Sequence, residues 1–216
     1  MGIGQATRLL GLLTLDTKAY VAEITFGSET STDDAEGEVV READVHPSLF
    51  EHAAAEAACR SVLGQQVQVP PSYSAISVNG VRSYKRARAG EDVELEARPI
   101  EVLAADPIAV ANRDGIPVWT VAFTVSKGTY IRALARDMGR ALGTAAHLSA
   151  LRRTASGSIG LGSCVSLDDL DVRTACEHML DPVRALGVPA VVLPERLRED
   201  VLCGKRLSSS IAVGAD

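Results

Sequence analysis

The sequence lacks the features that identify several common classes of protein. No apolar run approaches the roughly 20 residues of a membrane-spanning helix, and the N-terminal residues show no basic segment followed by an apolar core, as a secretory signal would. The four cysteines lie far apart without a Cys-x-x-Cys pair, which is typical of reduced thiols rather than of disulfides or a zinc site. We therefore expect a cytoplasmic chain that has no membrane partner.

Signatures of several enzyme classes are missing as well. The sequence contains no Walker loop, no Gly-x-Ser-x-Gly and no Gly-x-Gly-x-x-Gly after a strand. Its four histidines are not spaced from cysteines or carboxylates as metal ligands are, so we expect no bound metal. We interpret His147 as a hydrogen-bonded structural residue, the more common state of a lone histidine.

Aromatic residues are few, and their positions are informative. The chain has three phenylalanines, one tryptophan and four tyrosines. Tyr73, Tyr84 and Tyr130 lie among lysines and arginines, and Tyr20 follows Lys18 closely. An aromatic ring beside a cation is a typical platform for an unpaired nucleic-acid base. The alternative for Tyr20 is a core position on a strand, with its hydroxyl group hydrogen-bonded.

Charge is unevenly distributed along the chain. The formal net charge of −6 argues against a protein that coats nucleic acid indiscriminately. Residues 29–56 hold nine acids and one cation, residues 72–90 hold four cations and no acid, and residues 126–153 hold six cations and one acid. This pattern predicts a polarised surface that binds one polyanion in one orientation. The alternative is that the two basic blocks are solvated faces on opposite sides.

One stretch passes from a strand pattern to a helix pattern. Residues 118–125 alternate between apolar and polar, and from Ile131 apolar residues recur at intervals of three and four until Gly143, where we expect the helix to end. Between them, Gly128 allows a close backbone approach, while Lys127 and the free amides of the first helical turn favour an anion. The alternative is a simple junction with a solvated basic helix face.

Similar patterns predict the other elements of an α+β fold. Strands are expected at residues 18–27 and 38–42. One or two edge strands are expected between residues 93 and 108, because Pro99 and Pro107 cannot donate to a sheet ladder. Helices are expected at residues 6–15, 46–63, 81–89 and 195–202, and a further helix is expected to start at residues 166–170.

Several motifs occur in an order that resembles a known family. They are Lys18-Ala19-Tyr20, Thr32-Asp33-Asp34-Ala35-Glu36-Gly37, Pro70-Pro71-Ser72-Tyr73-Ser74-Ala75-Ile76, Ser126-Lys127-Gly128-Thr129-Tyr130-Ile131-Arg132 and Ala146-His147-Leu148-Ser149-Ala150-Leu151-Arg152-Arg153. From about Gly4 to Asp181 the chain resembles the TruB family of tRNA pseudouridine synthases, which isomerise one uridine in the T-loop of tRNA. The resemblance implies a cofactor-free isomerase with a mixed, largely antiparallel sheet flanked by helices.

The resemblance also implies a division of the chain and a partner. Residues 1–188 are expected to form a partial pseudouridine synthase catalytic domain, and residues 189–216 the incomplete start of a PUA-like RNA-binding domain. The expected partner is tRNA, bound through its T-loop and stem by a monomeric protein.

The resemblance further implies roles for individual residues. Tyr20 resembles the tyrosine that stacks on the flipped uracil, and Tyr130 the second active-site tyrosine, near the target nucleotide. Arg132 resembles the arginine that pairs with the catalytic aspartate, and Leu151 the leucine that packs on the bound nucleotide. We expect Tyr20 and Tyr130 to line one cavity, with an unpaired Arg132 at its floor. Phosphate contacts are expected from the two basic blocks, at Lys85, Arg86, Lys127, Arg152 and Arg153.

The sequence departs from the family pattern at the nucleophile. In the family this residue is an aspartate in a Gly-x-Leu-Asp-Pro motif, which precedes the segment matched here by Gly4-Gln5-Ala6-Thr7, and the 216 residues contain no such motif. Asp16 follows that segment and is therefore a poor substitute. We expect a chain shortened at both termini and inactive as written. A non-catalytic T-loop-binding or tRNA-folding module is the alternative, and an α+β domain unrelated to nucleic acid is a third.

Overall fold

A computed structural model of the chain describes residues 2–13, 17–78, 80–91, 95–189 and 191–207. Its contacts divide the chain into two units, one of residues 14–162 and another that joins residues 1–13 to residues 163–216. The first unit contains every residue to which the sequence analysis assigned a role in binding or catalysis. Asp16 lies outside the described residues.

The first unit is built on a six-stranded antiparallel sheet, which agrees with the expected largely antiparallel sheet. The strands of the chain are β1 (Lys18–Phe26), β2 (Ser28–Thr30), β3 (Val39–Glu42), β4 (Gly64–Gln68), β5 (Ser77–Val78), β6 (Val81–Arg82), β7 (Arg98–Arg113), β8 (Ile116–Val125), β9 (Ala146–Ser156) and β10 (Ile159–Gly160). The sheet has the order β10-β9-β1-β8-β7-β4, and all its neighbouring strands run antiparallel. The remaining strands form two small pairs, β2 with β3 and β5 with β6.

Alternation along β1 and β8 places one face of the sheet in the core. Ile24 and Phe26 are buried and share this face with alternate residues of β8, from Trp119 to Val125. The Phe26 and Trp119 rings meet edge to face, with their centroids 4.5 Å apart. The Trp119 indole N–H donates to the carbonyl of Leu49 at 2.7 Å, which provides the hydrogen-bond partner that a buried indole needs.

Two helices contribute most to this core. The helices are α1 (Leu10–Leu13), α2 (His52–Ser61), α3 (Ser83–Arg88), α4 (Ile131–Ala141), α5 (Pro182–Leu186) and α6 (Arg198–Leu202). α2 packs on β7, and α4 packs on β9 and β1 with the apolar stripe that the sequence predicts. Gly139 permits this close approach, because a Cβ atom there would lie 2.6 Å from the Cβ of Ala146. The predicted end of α4 at Gly143 is confirmed by its φ of 74°.

Two predictions for the first unit need correction. β7 lies between β8 and β4 in the strand order and is not an edge strand of the sheet, although it pairs with β4 only through residues 98–102 and with β8 only from Val102 onward. Its prolines are tolerated because Pro99 precedes the part of β7 that pairs with β8, while Pro107 adjoins a bulge in that pairing. The helix predicted at residues 46–63 is interrupted at Glu51, where the backbone is extended between a 3₁₀ turn at Pro47–Phe50 and α2.

The second unit contains only short helices among its described residues. The predicted helix at residues 195–202 is confirmed as a 3₁₀ turn followed by α6. The prediction that a helix starts at residues 166–170 is wrong, because this segment forms turns. Leu167 and Val172 are 72% and 94% exposed, so no buried apolar face stabilises a helix there. None of the helices in the described ranges has the length and apolar character that crossing a bilayer demands.

Candidate active site

The candidate site lies at the end of the core face where β1 begins. Tyr20 shares the face of the buried Ile24 but is only half-buried. The register pairs Tyr20 with Arg153 and Ala22 with Leu151 of β9, and directly opposed residues project from the same face. Leu151 is 46% exposed, and Arg153 is exposed as well. The core face is therefore open at this end, and Tyr20 is not the closed core residue of the alternative interpretation.

A β-bulge decides which β9 residues belong to this face. Pairing with β1 skips Ser149. Under strict alternation, Arg152 would share the face of the buried Leu148. The bulge reverses the alternation, so Leu151 and Arg153 take that face and Arg152 takes the opposite one. The two neighbouring arginines of the sequence therefore lie on different sides of the sheet.

Tyr130 and Arg132 lie at the start of α4. Tyr130 is the N-cap residue of this helix and has an extended backbone, with φ −99° and ψ 110°. The preceding loop, residues 126–129, follows the end of β8 that pairs with the beginning of β1. Because α4 then packs on β9 and β1, its start and Tyr20 belong to the same end of the sheet. The predicted cavity between the two tyrosine rings stays a prediction.

The prediction of an unpaired Arg132 is wrong. Its guanidinium group donates to Asp34 Oδ2 at 2.9 Å, to the Thr32 carbonyl at 3.1 Å and to the Tyr73 carbonyl at 2.9 Å. The arginine side chain is only 25% exposed, and a cation so far removed from water requires partners within the protein. These bonds use three N–H groups of the five that an arginine carries. Two N–H groups of Arg132 are therefore not used by these three bonds.

Arg132 is the first of three arginines at four-residue intervals on α4, which we name the arginine ladder (Arg132, Arg136 and Arg140). Residues at this spacing lie on one face of a helix. Arg136 donates to Asp33 Oδ2 at 2.8 Å, and Arg140 donates to Glu29 Oε2 at 2.7 Å. With the bond from Arg132 to Asp34, the ladder attaches the acidic segment of residues 29–34 to α4.

The ladder also reaches the segment that follows β4. Arg136 donates to the Val69 carbonyl at 2.9 Å, and Arg132 donates to the Tyr73 carbonyl. A hydrogen bond from a charged group to a backbone carbonyl is stronger than a neutral one. Two segments that are distant in the sequence are therefore held around the first turns of α4.

These pairings contradict the predicted polarised surface. Acids from residues 29–56 and cations from residues 126–153 neutralise one another within the first unit, because they lie on packed elements. Within the described part of the second basic block, the exposed cations that have no ion pair are Lys127, Arg152 and Arg153.

The first basic block is also partly neutralised. Arg86 forms an ion pair with Glu91 at 2.6 Å, and the Arg88 guanidinium lies over the Tyr84 ring, 5.7 Å from its centroid. Lys85 is exposed on α3. The charge available for a polyanion is therefore smaller than the composition of residues 72–90 indicates.

Glu29 is the most enclosed acid that the ladder binds. It is 3% exposed, and its carboxylate accepts from Arg140 and, at 2.6 Å, from Arg41. The hydrogen bond from Arg140, helped by that from Arg41 against the opposing effect of burial, lowers the pKa of Glu29 from 4.5 to about 2.

We expect Glu29→Gln to lower the free energy of unfolding by about 3 kcal/mol at neutral pH. A lowered pKa means that the folded protein favours the charged form. This contribution is complete above pH 4.5 and is lost as the pH falls toward about 2. Urea unfolding followed by tryptophan fluorescence across this range checks the prediction, with the exposed Glu38→Gln as matched control. A difference from the wild type that does not shrink on acidification would contradict it.

Sequence reasoning missed two polar residues of this region. Asp34 binds Arg132, and Gln68 binds the backbone of Tyr130. An acidic loop combined with arginines at four-residue spacing was an available signal for the first contact. A glutamine at the end of a strand carries no comparable signal.

A Leu-Asp-Pro sequence occurs at residues 180–182, with His178 in place of the glycine of the family motif. The Asp181 carboxylate accepts from the backbone N–H groups of Val183 and Arg184 at 2.7 and 3.2 Å, so it caps α5. Pro182 occupies the first helical turn, where its missing N–H costs nothing. This aspartate therefore has a local structural role.

The fold of the chain is similar to that of two solved structures. A crystal structure of a Cbf5-Nop10-Gar1 complex matches with a TM-score of 0.56 and 23% identity, covering 85% of this chain and 45% of that chain. A structure of an H/ACA RNP bound to a substrate RNA containing 2'-deoxyuridine matches with a TM-score of 0.52 and 21% identity, covering 85% and 43%. At such identities the likeness shows the fold alone.

Sequence comparison shows the family. The profile of the TruB family pseudouridylate synthase N-terminal domain matches residues 1–131, and that of the tRNA pseudouridylate synthase B C-terminal domain matches residues 132–192. The chain belongs to the TruB family of pseudouridylate synthases, which confirms the resemblance.

Several relatives named tRNA pseudouridine synthase B are similar to this chain. The protein of Mycobacteroides abscessus is 50% identical over 191 residues, which are 88% of this chain and 63% of the relative. That of Mycobacterium tuberculosis is 46% identical over 84% of this chain and 60% of the relative. That of an Arthrobacter species is 43% identical over 99% of this chain and 70% of the relative. The chain thus spans less than two thirds of the first two relatives.

Proposed function

We propose that these residues form the uridine-binding and RNA-facing part of a tRNA pseudouridine synthase that acts on a T-loop uridine in the cytoplasm. One observation carries the proposal. Tyr20, Leu151 and Arg153 share the open end of one sheet face, beside the start of the helix that bears Tyr130 and Arg132. Membership of the TruB family and the names of the relatives support the reaction class.

The chemistry explains why such a surface is needed. Isomerisation of uridine breaks the bond between uracil N1 and the ribose and forms a new one at uracil C5, so the base has to leave its stack. Stacking on an aromatic ring returns about 1–3 kcal/mol per base. In this proposal Tyr20 supplies the ring, Tyr130 lies near the target nucleotide, and Leu151 supplies an apolar contact.

Arg132 is proposed to orient a catalytic carboxylate. A carboxylate in an apolar pocket stays ionised when a cation lies beside it. Asp34 holds one side of the Arg132 guanidinium, so the orientation of the remaining N–H groups is set before RNA binds.

We expect the two neighbouring arginines of β9 to contribute unequally to RNA binding. Replacing both with alanine should weaken the binding of a T-arm stem-loop RNA and flatten its salt dependence, because phosphate contacts are lost. Since Arg153 lies on the face of Tyr20 and Arg152 on the opposite one, Arg153→Ala should account for most of the effect. It should lower the slope of log affinity against log salt by about 1.

Fluorescence anisotropy over a series of salt concentrations measures the slope of log affinity against log salt for the wild type and for each variant. Arg152→Ala is the matched control. A slope that only Arg152→Ala lowers would place the RNA on the other side of the sheet. Unchanged slopes for both single variants and for the double variant would remove β9 from the proposed interface. The same titration applied to Lys127, Lys85 and Arg86 tests the remaining proposed phosphate contacts.

A second candidate function is a non-catalytic module that binds or folds the T-loop. The open end of the sheet face at Tyr20, Leu151 and Arg153 fits this function as well, because binding a T-loop requires no catalytic carboxylate. Both candidates predict RNA binding by Arg153, and they differ only in the conversion of uridine.

A further inference from the structure

Gln68 makes a pair of hydrogen bonds with a single residue at the candidate site. It is the last residue of the edge strand β4 and is 3% exposed. Its side-chain oxygen accepts from the backbone N–H of Tyr130 at 2.9 Å, and its side-chain nitrogen donates to the backbone carbonyl of Tyr130 at 3.2 Å. The amide group thus binds both polar backbone groups of Tyr130, as a neighbouring strand would.

Tyr130 occupies a position where its backbone needs such a partner. It is the N-cap of α4 and makes no capping hydrogen bond through its own side chain. The loop before it contains Gly128, whose φ of 83° favours glycine, and both Lys127 and Gly128 are exposed. The chain therefore enters α4 from an exposed loop. The Tyr130 carbonyl also accepts from the Leu134 N–H of α4 at 3.0 Å, and Gln68 is the side chain outside the helix that holds both polar backbone groups of Tyr130.

We propose that Gln68 is a positioning residue for the Tyr130 side chain, an inference that rests on the proposed function. Once φ and ψ of a residue are set, the direction of its Cα–Cβ bond is set, and only the side-chain torsions remain free. Gln68 therefore limits the directions in which the Tyr130 ring can meet a nucleotide. Holding a group in its productive geometry before the substrate arrives is a recognised source of affinity and rate.

The segment after Gln68 supports the same arrangement. The carbonyl groups of Val69 and Tyr73 accept hydrogen bonds from Arg136 and Arg132, respectively, as described above. Strand β4 and its continuation thus contact α4 at Tyr130, Arg132 and Arg136. A shift of this strand would move the backbone of Tyr130 and the guanidinium group of Arg132 together.

A purely structural role for Gln68 predicts a different result from a positioning role. A buried amide that only stabilises the fold would weaken RNA binding by the same factor whatever side chain stands at residue 130. A positioning residue acts through the tyrosine ring, so its effect disappears when the ring is absent. A double-mutant cycle separates the two because it measures this non-additivity.

The variants are Gln68→Met, which keeps the volume without the hydrogen bonds, and the exposed Gln65→Met of the same strand as matched control. We expect Gln68→Met to weaken the binding of a T-arm stem-loop RNA about tenfold, with an unchanged salt slope because no phosphate contact is lost. In a Tyr130→Ala background the same substitution should change the affinity by less than about twofold. If Gln68→Met weakened RNA binding by the same factor in the Tyr130 and the Tyr130→Ala backgrounds, the proposal would be overturned.

A second measurement does not depend on RNA. In protein labelled with fluorotyrosine, the ¹⁹F signal of Tyr130, assigned by its loss in Tyr130→Phe, should shift or broaden in Gln68→Met while that of Tyr20 stays. An unchanged Tyr130 signal in a folded variant would overturn the proposal. If the wild-type chain binds no RNA while the Tyr130 signal responds, the proposed function fails and the positioning of Tyr130 by Gln68 stands.

Gln68→Glu provides a test that does not rely on a folded methionine variant. A protonated carboxyl group can donate to the Tyr130 carbonyl as the glutamine does, whereas an ionised one repels that carbonyl. The Tyr130 signal of this variant should therefore match the wild type at acidic pH and depart from it as the pH rises. If the ¹⁹F signal of Tyr130 in Gln68→Glu were the same as in the wild type at every pH, the proposal would be overturned.

Discussion

A T-arm stem-loop RNA incubated with the 216-residue polypeptide is expected to gain no pseudouridine. In the proposed function the reaction depends on the aspartate of a Gly-x-Leu-Asp-Pro motif, and the 216 residues contain no such motif. Arg132 alone offers no nucleophile, since a guanidinium group has donors only. Tritium release from RNA that carries labelled uridine, confirmed by mass spectrometry of the digested nucleosides, makes the measurement.

The matched control adds the missing group. A polypeptide extended at its N-terminus by a segment that carries a Gly-x-Leu-Asp-Pro motif should convert the uridine, and its Asp→Asn variant should not. Conversion by the 216-residue polypeptide itself would contradict the prediction. Asp16→Ala and Asp181→Ala would then show whether either aspartate acts as the nucleophile.

The largest loss of stability is expected from Arg136, the most buried member of the arginine ladder. The residue is 8% exposed and donates to Asp33, to Asp137 and to the Val69 carbonyl. Burial raises the pKa of Asp33, and Arg136 is the charge that most opposes this effect. Arg136→Met should therefore leave a buried carboxylate without its partner and lower the free energy of unfolding by about 3–5 kcal/mol.

The paired substitution makes this prediction specific. Asp33→Asn combined with Arg136→Met removes both charges, so it should cost less than the sum of the single changes. Urea unfolding at neutral pH measures all three variants, and Arg60→Met on the exposed face of α2 should change the free energy by less than about 0.5 kcal/mol. An Arg136→Met variant as stable as the Arg60→Met control would show that the ladder does not stabilise the fold.

Local patterns were sufficient where one face of an element is buried. Alternation located β1 and β8, and the three-four spacing located α4 with its end at Gly143, because burial of one face requires that periodicity in the sequence. The order of the motifs was sufficient for the family, since each motif is local. The same reasoning misplaced β7, because proline excludes a ladder hydrogen bond only where a neighbouring strand needs one.

The sequence by itself therefore determined the family and the principal elements, and it supplied the proposed residues of the candidate site. Tertiary packing was needed to establish which charges pair and which side chains share a face. Arg132 and Asp34 are separated by 98 positions, and Gln68 and Tyr130 by 62, so no local pattern relates them. The face of the sheet on which Leu151 and Arg153 lie depends on one residue, Ser149, which has no partner in the pairing of β9 with β1. The two pairings follow from the requirement that buried polar groups have hydrogen-bond partners, and only the packed fold decides which groups lie within reach of one another.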